Sequence, residues 1–138
     1  MICVVDYGMG NLRSVSKALG AVGGRVCVTS NPKQVAKASK IVLPGVGEFG
    51  HAIQELKRRQ LLKPLQNVIQ NRKPFLGICL GLQLLFEKSE ESPRVRGLSV
   101  IRGSVNRLKS TVNHPIKIPQ MGWNQVKLTR KSPLMRGV

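Results

Sequence analysis

The stretch from Pro74 to Glu87 constrains the possible fold more than any other part of this sequence. Pro74 stops a preceding helix, and the apolar run after it predicts a short buried strand (Phe75, Leu76, Ile78). Leucines at helical spacing take over immediately and predict a helix that continues to Glu87 (Leu80, Leu84, Leu85). A strand, a sharp turn and a helix therefore follow one another within fourteen residues.

Cys79 lies at the changeover, between Gly77 and Gly81. An isolated cysteine in an apolar run is usually a small buried hydrophobe, but Gly-x-Cys-x-Gly has the form of the nucleophile elbow, with a thiol in place of a hydroxyl. The glycines remove side chains where strand and helix converge. We expect an exposed thiol at a helix N-terminus, with a pKa below the ordinary value of roughly 8.5. The Leu80 amide is expected to face a developing oxyanion.

The preceding residues alternate between predicted strands and helices with short connections, which predicts an α/β fold with a doubly wound, mostly parallel sheet and a flavodoxin-like core. The predicted strands before the elbow are Ile2–Val5, 26–28 and 41–43. Glycine-rich turns follow Val5, Leu43 and Ile78, and in such sheets ligands bind beyond the carboxyl ends of the strands. The Val46–Gly47 turn is therefore a candidate second oxyanion donor, although plain turn chemistry also explains its glycines.

Beyond Glu87 the apolar segments become shorter and are mixed with polar residues. They predict short antiparallel strands towards the C-terminus (98–101, 105–108, 116–118, 126–128). Glu87, Glu90 and Glu91 are interpreted as a solvated helix end. Trp123, the single tryptophan, fits either an interface anchor or a core residue.

Charge and cysteine content exclude several classes of function. Lys and Arg number 23 against 6 acidic residues, a net charge of +17, which raises a nucleic-acid hypothesis. The basic residues are dispersed and aromatic residues make up only 4%, so a base-stacking surface is not favoured. Three cysteines without Cys-x-x-Cys spacing argue against a disulfide framework or zinc site and for a reducing compartment. No signal peptide or membrane span is indicated, so a cytoplasmic location is expected.

Four motifs occur in an order that resembles a known family. They are Asp6-Tyr7-Gly8-Met9-Gly10-Asn11, Leu43-Pro44-Gly45-Val46-Gly47, the segment from Gly77 to Glu87, and Met121-Gly122-Trp123-Asn124. The elbow alone resembles the class I glutamine amidotransferases. The first and last motifs narrow the resemblance to the glutaminase (HisH) subunits of imidazole glycerol phosphate synthase, over residues 1 to about 126.

The resemblance implies hydrolysis of L-glutamine to glutamate and ammonia through a Cys79 thioester. The oxyanion would be held by amides at Leu80 and at Val46–Gly47, with Gln83 near the bound glutamine. Ammonia would pass to a TIM-barrel cyclase subunit that makes imidazole glycerol phosphate in histidine biosynthesis. The resemblance places Asn11 and Trp123 at that heterodimer interface, and it implies neither a metal nor an organic cofactor.

Three departures from the family pattern qualify this expectation. The family's base and orienting acid, a His and a Glu two residues later, are absent, and His51 and His114 do not match their positions. Gln120 stands where the family usually has His, and the charge is unusually basic. We therefore expect residues 1–138 to be a single amidotransferase domain that is C-terminally truncated and inactive alone. The alternatives are a non-catalytic docking subunit and a basic nucleic-acid-binding domain.

Overall fold

The computed structural model describes residues 1–111 and 115–136. The chain forms two compact units, Met1–Arg107 and Leu108–Val138. None of the helices in the described residues is long and apolar enough to cross a membrane.

The first unit is built on a four-stranded parallel sheet, which confirms the predicted fold class. Its strands are β1 (Ile2–Val5), β2 (Val26–Thr29), β3 (Lys40–Leu43) and β4 (Phe75–Gly77), in the order β2-β1-β3-β4. This is the strand order of flavodoxin-like sheets, in which the order of the strands across the sheet reverses between β1 and β3. The carboxyl ends of β1, β3 and β4 are therefore neighbours.

Helices cover both faces of this sheet, as expected for a doubly wound fold. They are α1 (Leu12–Ala21), α2 (Pro32–Lys37), α3 (Phe49–Arg58) and α4 (Leu62–Gln70). Helix α1 contacts β1 and β2. The opposite face of the sheet packs against apolar side chains of α2, α3 and α4 in one core cluster that includes Val5, Ile41 and Leu43.

Local sequence signals explain where these helices begin and end. Asn11 and Asn31 cap α1 and α2, each accepting hydrogen bonds from backbone N–H groups of the first turn. Gly23, with φ of +81°, follows the end of α1. Gln60, with φ of 58°, separates α3 from α4.

The face of the parallel sheet on which α1 packs is incompletely covered at its outer strands. Val28 on β2 and Leu76 on β4 are 44% and 41% exposed, whereas Val4 and Val42 between them are buried. Helix α1 carries no fully buried residue. Apolar side chains of the two outer strands therefore remain partly exposed on this face.

The segment after the elbow differs from the sequence prediction. Helix α5 ends at Gln83 (Leu80–Gln83), and Phe86 begins β5 (Phe86–Ser89), which pairs in parallel with β6 (Ile101–Val105). The predicted helix to Glu87 is wrong, because the leucine spacing also suits a short turn entering a strand. The predicted antiparallel pairing is wrong here too.

The three glutamates do not form a solvated helix end. Glu87 lies in β5 and accepts a hydrogen bond from the Gly103 N–H at 2.9 Å. Glu90 accepts one from the Arg107 N–H at 2.8 Å. These carboxylates therefore tie the second sheet and its flanks together, a role that periodicity cannot reveal.

In the second unit, the described residues contain one short 3₁₀ helix, Pro133–Met135. Residues 116–118 and 126–128, predicted as strands, are not strands there. The side chain of Trp123 is fully exposed.

Candidate active site

The elbow is the point where β4 ends and α5 begins. Cys79 has φ of 54° and ψ of −119°, a conformation that L-residues adopt only under constraint. Its side chain is exposed, and it caps no amide of α5. The Ile78 N–H donates to the Leu43 carbonyl oxygen at 3.0 Å, and this bond fixes the elbow to the end of β3. The predicted strained and accessible thiol is present.

Two glycines make this geometry possible. A methyl group on the Gly81 Cα would overlap the Leu43 carbonyl oxygen. A methyl group on Gly77 would lie 2.7 Å from backbone atoms of Gly81 and Leu82. Backbone, not flexible side chains, occupies the space at both positions, so only glycine fits.

Glycine turns from three strands meet at this edge of the sheet. A methyl group on Gly45 would lie 2.8 Å from the Gly81 nitrogen and 2.9 Å from the Leu80 Cβ. One on Gly10 would lie 3.3 Å from Pro44, and one on Gly47 would lie 2.9 Å from the Met9 side chain. The turns after β1, β3 and β4 therefore lie next to one another at the carboxyl ends of their strands, where parallel sheets bind ligands.

Backbone amides are available beside the thiol. Leu80 is the first residue of α5, so its N–H has no acceptor within the helix. Val46 is half-exposed at 53%, and Gly47 has φ of +99°. A positive φ redirects the peptide groups on either side of a residue, as in anion-binding turns. The two candidate donor positions lie on turns that touch each other.

Tyr7 is fully buried beneath this corner, next to Gly45. Its hydroxyl finds no hydrogen-bond partner among the described residues. Burial raises the pKa of Tyr7 well above its ordinary value, and the nearby Cys79 raises it further. At neutral pH the hydroxyl is therefore protonated and can donate.

The N-terminus of α3, which directly follows Gly47, is fully capped. The Glu48 carboxylate accepts from the N–H groups of Gly50 at 2.7 Å and His51 at 2.6 Å, and the Ser92 hydroxyl donates to it. Glu91 accepts from the Phe49 N–H at 2.9 Å. The Ser92 hydrogen bond, with those from the His51 and Gly50 amides, lowers the pKa of Glu48 below its ordinary value of 4.5. These bonds fix the end of the Val46–Gly47 turn.

A cavity of about 520 Å³ opens one helical turn beyond Cys79. The backbone N–H of Gln83 donates to the Cys79 carbonyl oxygen at 3.2 Å, and Gln83 lines the cavity. The other lining residues include three that carry charge, Glu90, Glu91 and Arg107. The residues that line the cavity therefore carry an amide, carboxylates and a guanidinium.

The remaining predicted residues lie elsewhere. His51 is exposed in the first turn of α3, and His114 lies outside the described residues. Asn11 is exposed, and its side chain already caps α1. Among the described residues, no group of three or more His, Cys, Asp and Glu side chains could hold a metal ion.

Two features of the site were missed by sequence reasoning. The Tyr7 hydroxyl lies within a motif that was interpreted only as a turn, and nothing local marks it as buried. The cap of α3 uses Glu91, which accepts from the Phe49 N–H 42 positions away, and Ser92, which donates to Glu48 44 positions away. A glutamate before an apolar helical stripe was the only local signal, and glutamate is not a favoured N-cap residue.

Comparison with known proteins identifies relatives over the whole chain. Residues 3–137 match the family described as "Glutamine amidotransferase class-I". The chain is 46% identical, over all 138 residues, to "Imidazole glycerol phosphate synthase subunit HisH" of Bacillus cereus (strain AH187) and, equally, of Bacillus anthracis (strain A0248). It spans 64% of the length of each of these relatives.

A solved structure supports the fold. The structure titled "Crystal structure of glutamine amidotransferase" superposes with a TM-score of 0.67 at 18% identity, covering 78% of this chain and 57% of that one. At this identity the likeness concerns the fold alone.

Proposed function

The chain belongs to the class-I glutamine amidotransferase family, and on that premise we propose that it is the nucleophile-bearing part of a glutaminase subunit of imidazole glycerol phosphate synthase. The observation that carries the proposal is the strained, exposed Cys79 between two sterically required glycines. The 46% identity to HisH subunits supports the more specific assignment.

The proposed reaction hydrolyses L-glutamine to glutamate and ammonia. The Cys79 sulfur attacks the side-chain amide carbon, and the carbonyl oxygen becomes an oxyanion. Amides at Leu80 and in the Val46–Gly47 turn stabilise that oxyanion. The C–N bond breaks, the nitrogen takes up a proton and leaves as ammonia, and water then hydrolyses the thioester to glutamate and free thiol.

Gln83 and its cavity would bind the amino-acid end of glutamine. The substrate carries an ammonium and a carboxylate that require opposite partners. Glu90 and Glu91 supply acceptors for the ammonium, and Arg107 supplies donors for the carboxylate. The position of Gln83, one turn after the nucleophile, would place the substrate amide towards Cys79.

Turnover also requires a base that activates the thiol. Such a base must reach the thiol within hydrogen-bond distance, and neither His51 nor His114 is followed two residues later by an acid, as the family's base is. We therefore propose that the 138-residue chain alone shows no glutaminase turnover above background. We also propose that the two compact units belong to one amidotransferase domain, because the family match spans both.

The proposed partner is the TIM-barrel cyclase subunit, which would receive the ammonia in histidine biosynthesis in the cytoplasm. Exposed Asn11 and exposed Trp123 would contribute to the interface. A large exposed aromatic side chain is a common binding hot spot. Trp123→Ala should therefore weaken cyclase association by more than about 1 kcal/mol in a titration. Unchanged affinity would remove Trp123 from the interface.

Protection of Cys79 from alkylation tests glutamine binding without requiring turnover. Iodoacetamide should label Cys79 first among the three cysteines, because Cys3 is buried and Cys27 only partly accessible. L-Glutamine should slow this labelling, D-glutamine should not, and Gln83→Ala should abolish the protection. Equal labelling of all three thiols, or no protection by L-glutamine, would overturn the assignment of Cys79 and its cavity.

A non-catalytic docking subunit is the second candidate, because neither histidine of this chain matches the family base. It predicts cyclase binding without protection of Cys79 by glutamine.

The net charge of +17 makes nucleic-acid binding a third candidate function. A retardation assay at physiological salt decides, since purely electrostatic binding weakens steeply with salt.

A further inference from the structure

Two cysteines that the proposed reaction does not use face each other across neighbouring strands. Cys3 on β1 is the register partner of Cys27 on β2, the edge strand of the parallel sheet. Both line one cavity of about 280 Å³, which also contacts Met1 and Lys37. Because partners in register point to the same face of a sheet, the two thiols lie side by side.

The spacing of parallel strands decides what these thiols can form. Adjacent strands are roughly 4.8 Å apart, and the side chains of register partners run parallel. A disulfide needs Cβ atoms about 3.5–4.5 Å apart and sulfur atoms about 2.05 Å apart, so it would pull the strands together. A metal ion with two metal–sulfur bonds of about 2.3 Å spans sulfurs up to about 4.6 Å apart. A bridging ion fits this spacing better than a direct bond.

The ligand set then selects the ion. The two thiols at this cavity are soft donors, which favour Cu(I) among biological metals. Zinc prefers four ligands in a tetrahedron. The nearby side chains of Thr29 and Gln34 are neutral and hydrogen-bond each other. They are poor third and fourth ligands for zinc.

We propose that Cys3 and Cys27 bind a thiophilic monovalent cation of the Cu(I) class between β1 and β2. Both thiols lose their protons and each sulfur donates an electron pair to the ion, with no change in oxidation state. The resulting bis-thiolate complex has a net charge of −1, which Lys37 at the same cavity offsets. The site is separate from the elbow and does not depend on the proposed glutaminase reaction.

The test is a titration with Cu(I) under anaerobic conditions, against a chromophoric Cu(I) chelator. The chain carries Cys79→Ser so that the elbow thiol cannot bind the ion. We expect one Cu(I) per chain with release of two protons. Cys27→Ser should weaken binding by about 100-fold or more, because the second donor no longer adds its local concentration.

A matched variant separates the geometry from the mere number of thiols. Cys27→Ser combined with Val28→Cys keeps two thiols but turns one to the opposite face of β2, where Val28 is 44% exposed. This variant should bind no better than Cys27→Ser alone. Tight binding by either variant, or stoichiometric Zn(II) binding of equal affinity, would overturn the proposed site. Circular dichroism of each variant verifies that the fold is retained.

Discussion

The starts of α3 and α5 lie on neighbouring turns at the same sheet edge but are built in opposite ways. The first amides of α3 are occupied by Glu48, Glu91 and Ser92. The start of α5 at Cys79 has no side-chain cap, and its thiol is exposed. Side chains satisfy the first amides of α3, whereas at α5 the Gly81, Leu82 and Gln83 amides bond backbone carbonyls and only the Leu80 N–H lacks an acceptor within the helix.

This difference separates stability from function at the two positions. A capped helix start contributes to the free energy of unfolding, while a strained and uncapped residue costs free energy that the surrounding structure must offset. The capped start directly follows the Val46–Gly47 turn, so α3 gives that turn a fixed end against which the elbow can be positioned. Removing the side chain of Glu48 should therefore lower the free energy of unfolding, whereas removing that of Cys79 should raise it.

Removing the glycine that seats α5 should have the largest effect. Gly81→Ala places a methyl group on the Leu43 carbonyl oxygen, and backbone cannot move aside easily. We expect a loss of about 3 kcal/mol or more in the free energy of unfolding, measured by urea denaturation. Gly20→Ala is the matched control, because nothing lies within 4 Å of a methyl group there. It should stabilise α1 by about 0.5–1 kcal/mol. A Gly81→Ala chain as stable as the parent would mean that the elbow is not seated on β3.

Removing the cap of α3 should cost less. Glu48→Ala leaves the Gly50 and His51 amides without their carboxylate, and we expect a loss of about 1 kcal/mol, within the range for N-cap substitutions. The hydrogen bonds depress the pKa of Glu48 in the folded state, so its contribution is complete above the ordinary value of 4.5 and declines as the pH falls through the folded-state pKa. The difference between parent and variant should therefore shrink in acid. A difference independent of pH would show that the charge of Glu48 is not involved.

Much of this comparison could be anticipated from local sequence signals. The alternation of predicted strands and helices predicted the parallel sheet, and the two flanking glycines predicted the turn at Cys79. Each of these signals acts within a few residues. A strand end, a tight turn and a cap all leave a local pattern in the sequence.

The features that could not be predicted from the sequence depend on partners far away along the chain. The Glu48–Ser92 contact joins residues 44 positions apart, and the parallel pairing of β5 with β6 depends on how the intervening loop folds back. The helix predicted from Leu84 and Leu85 was also wrong, because leucines that enter a strand here have the same spacing as a helical stripe. Tertiary contacts, not propensity, decided these cases.

Relieving the strain at the open start should stabilise the chain. Cys79→Gly removes the side chain from a residue with φ of 54°, a conformation that glycine adopts freely. We expect a gain of about 1 kcal/mol in the free energy of unfolding, together with loss of the fast iodoacetamide reaction. Cys79→Ser, which keeps a Cβ at the same backbone position, should show the second effect without the first. Equal stability of both variants would indicate an unstrained elbow.

The smallest expected effect concerns the hydroxyl beneath the elbow. Tyr7→Phe deletes a buried hydroxyl that has no partner among the described residues, and an unsatisfied buried polar group costs about 1–3 kcal/mol relative to a paired one. The small void left by the deleted oxygen offsets part of this gain, so we expect the free energy of unfolding in urea to rise by less than about 1 kcal/mol. Tyr7→Leu is the control, because it also removes the buried ring and should destabilise. If Tyr7→Phe instead lowers stability, the hydroxyl is paired in solution, and the open start of α5 rests on a hydrogen bond like those that close the start of α3.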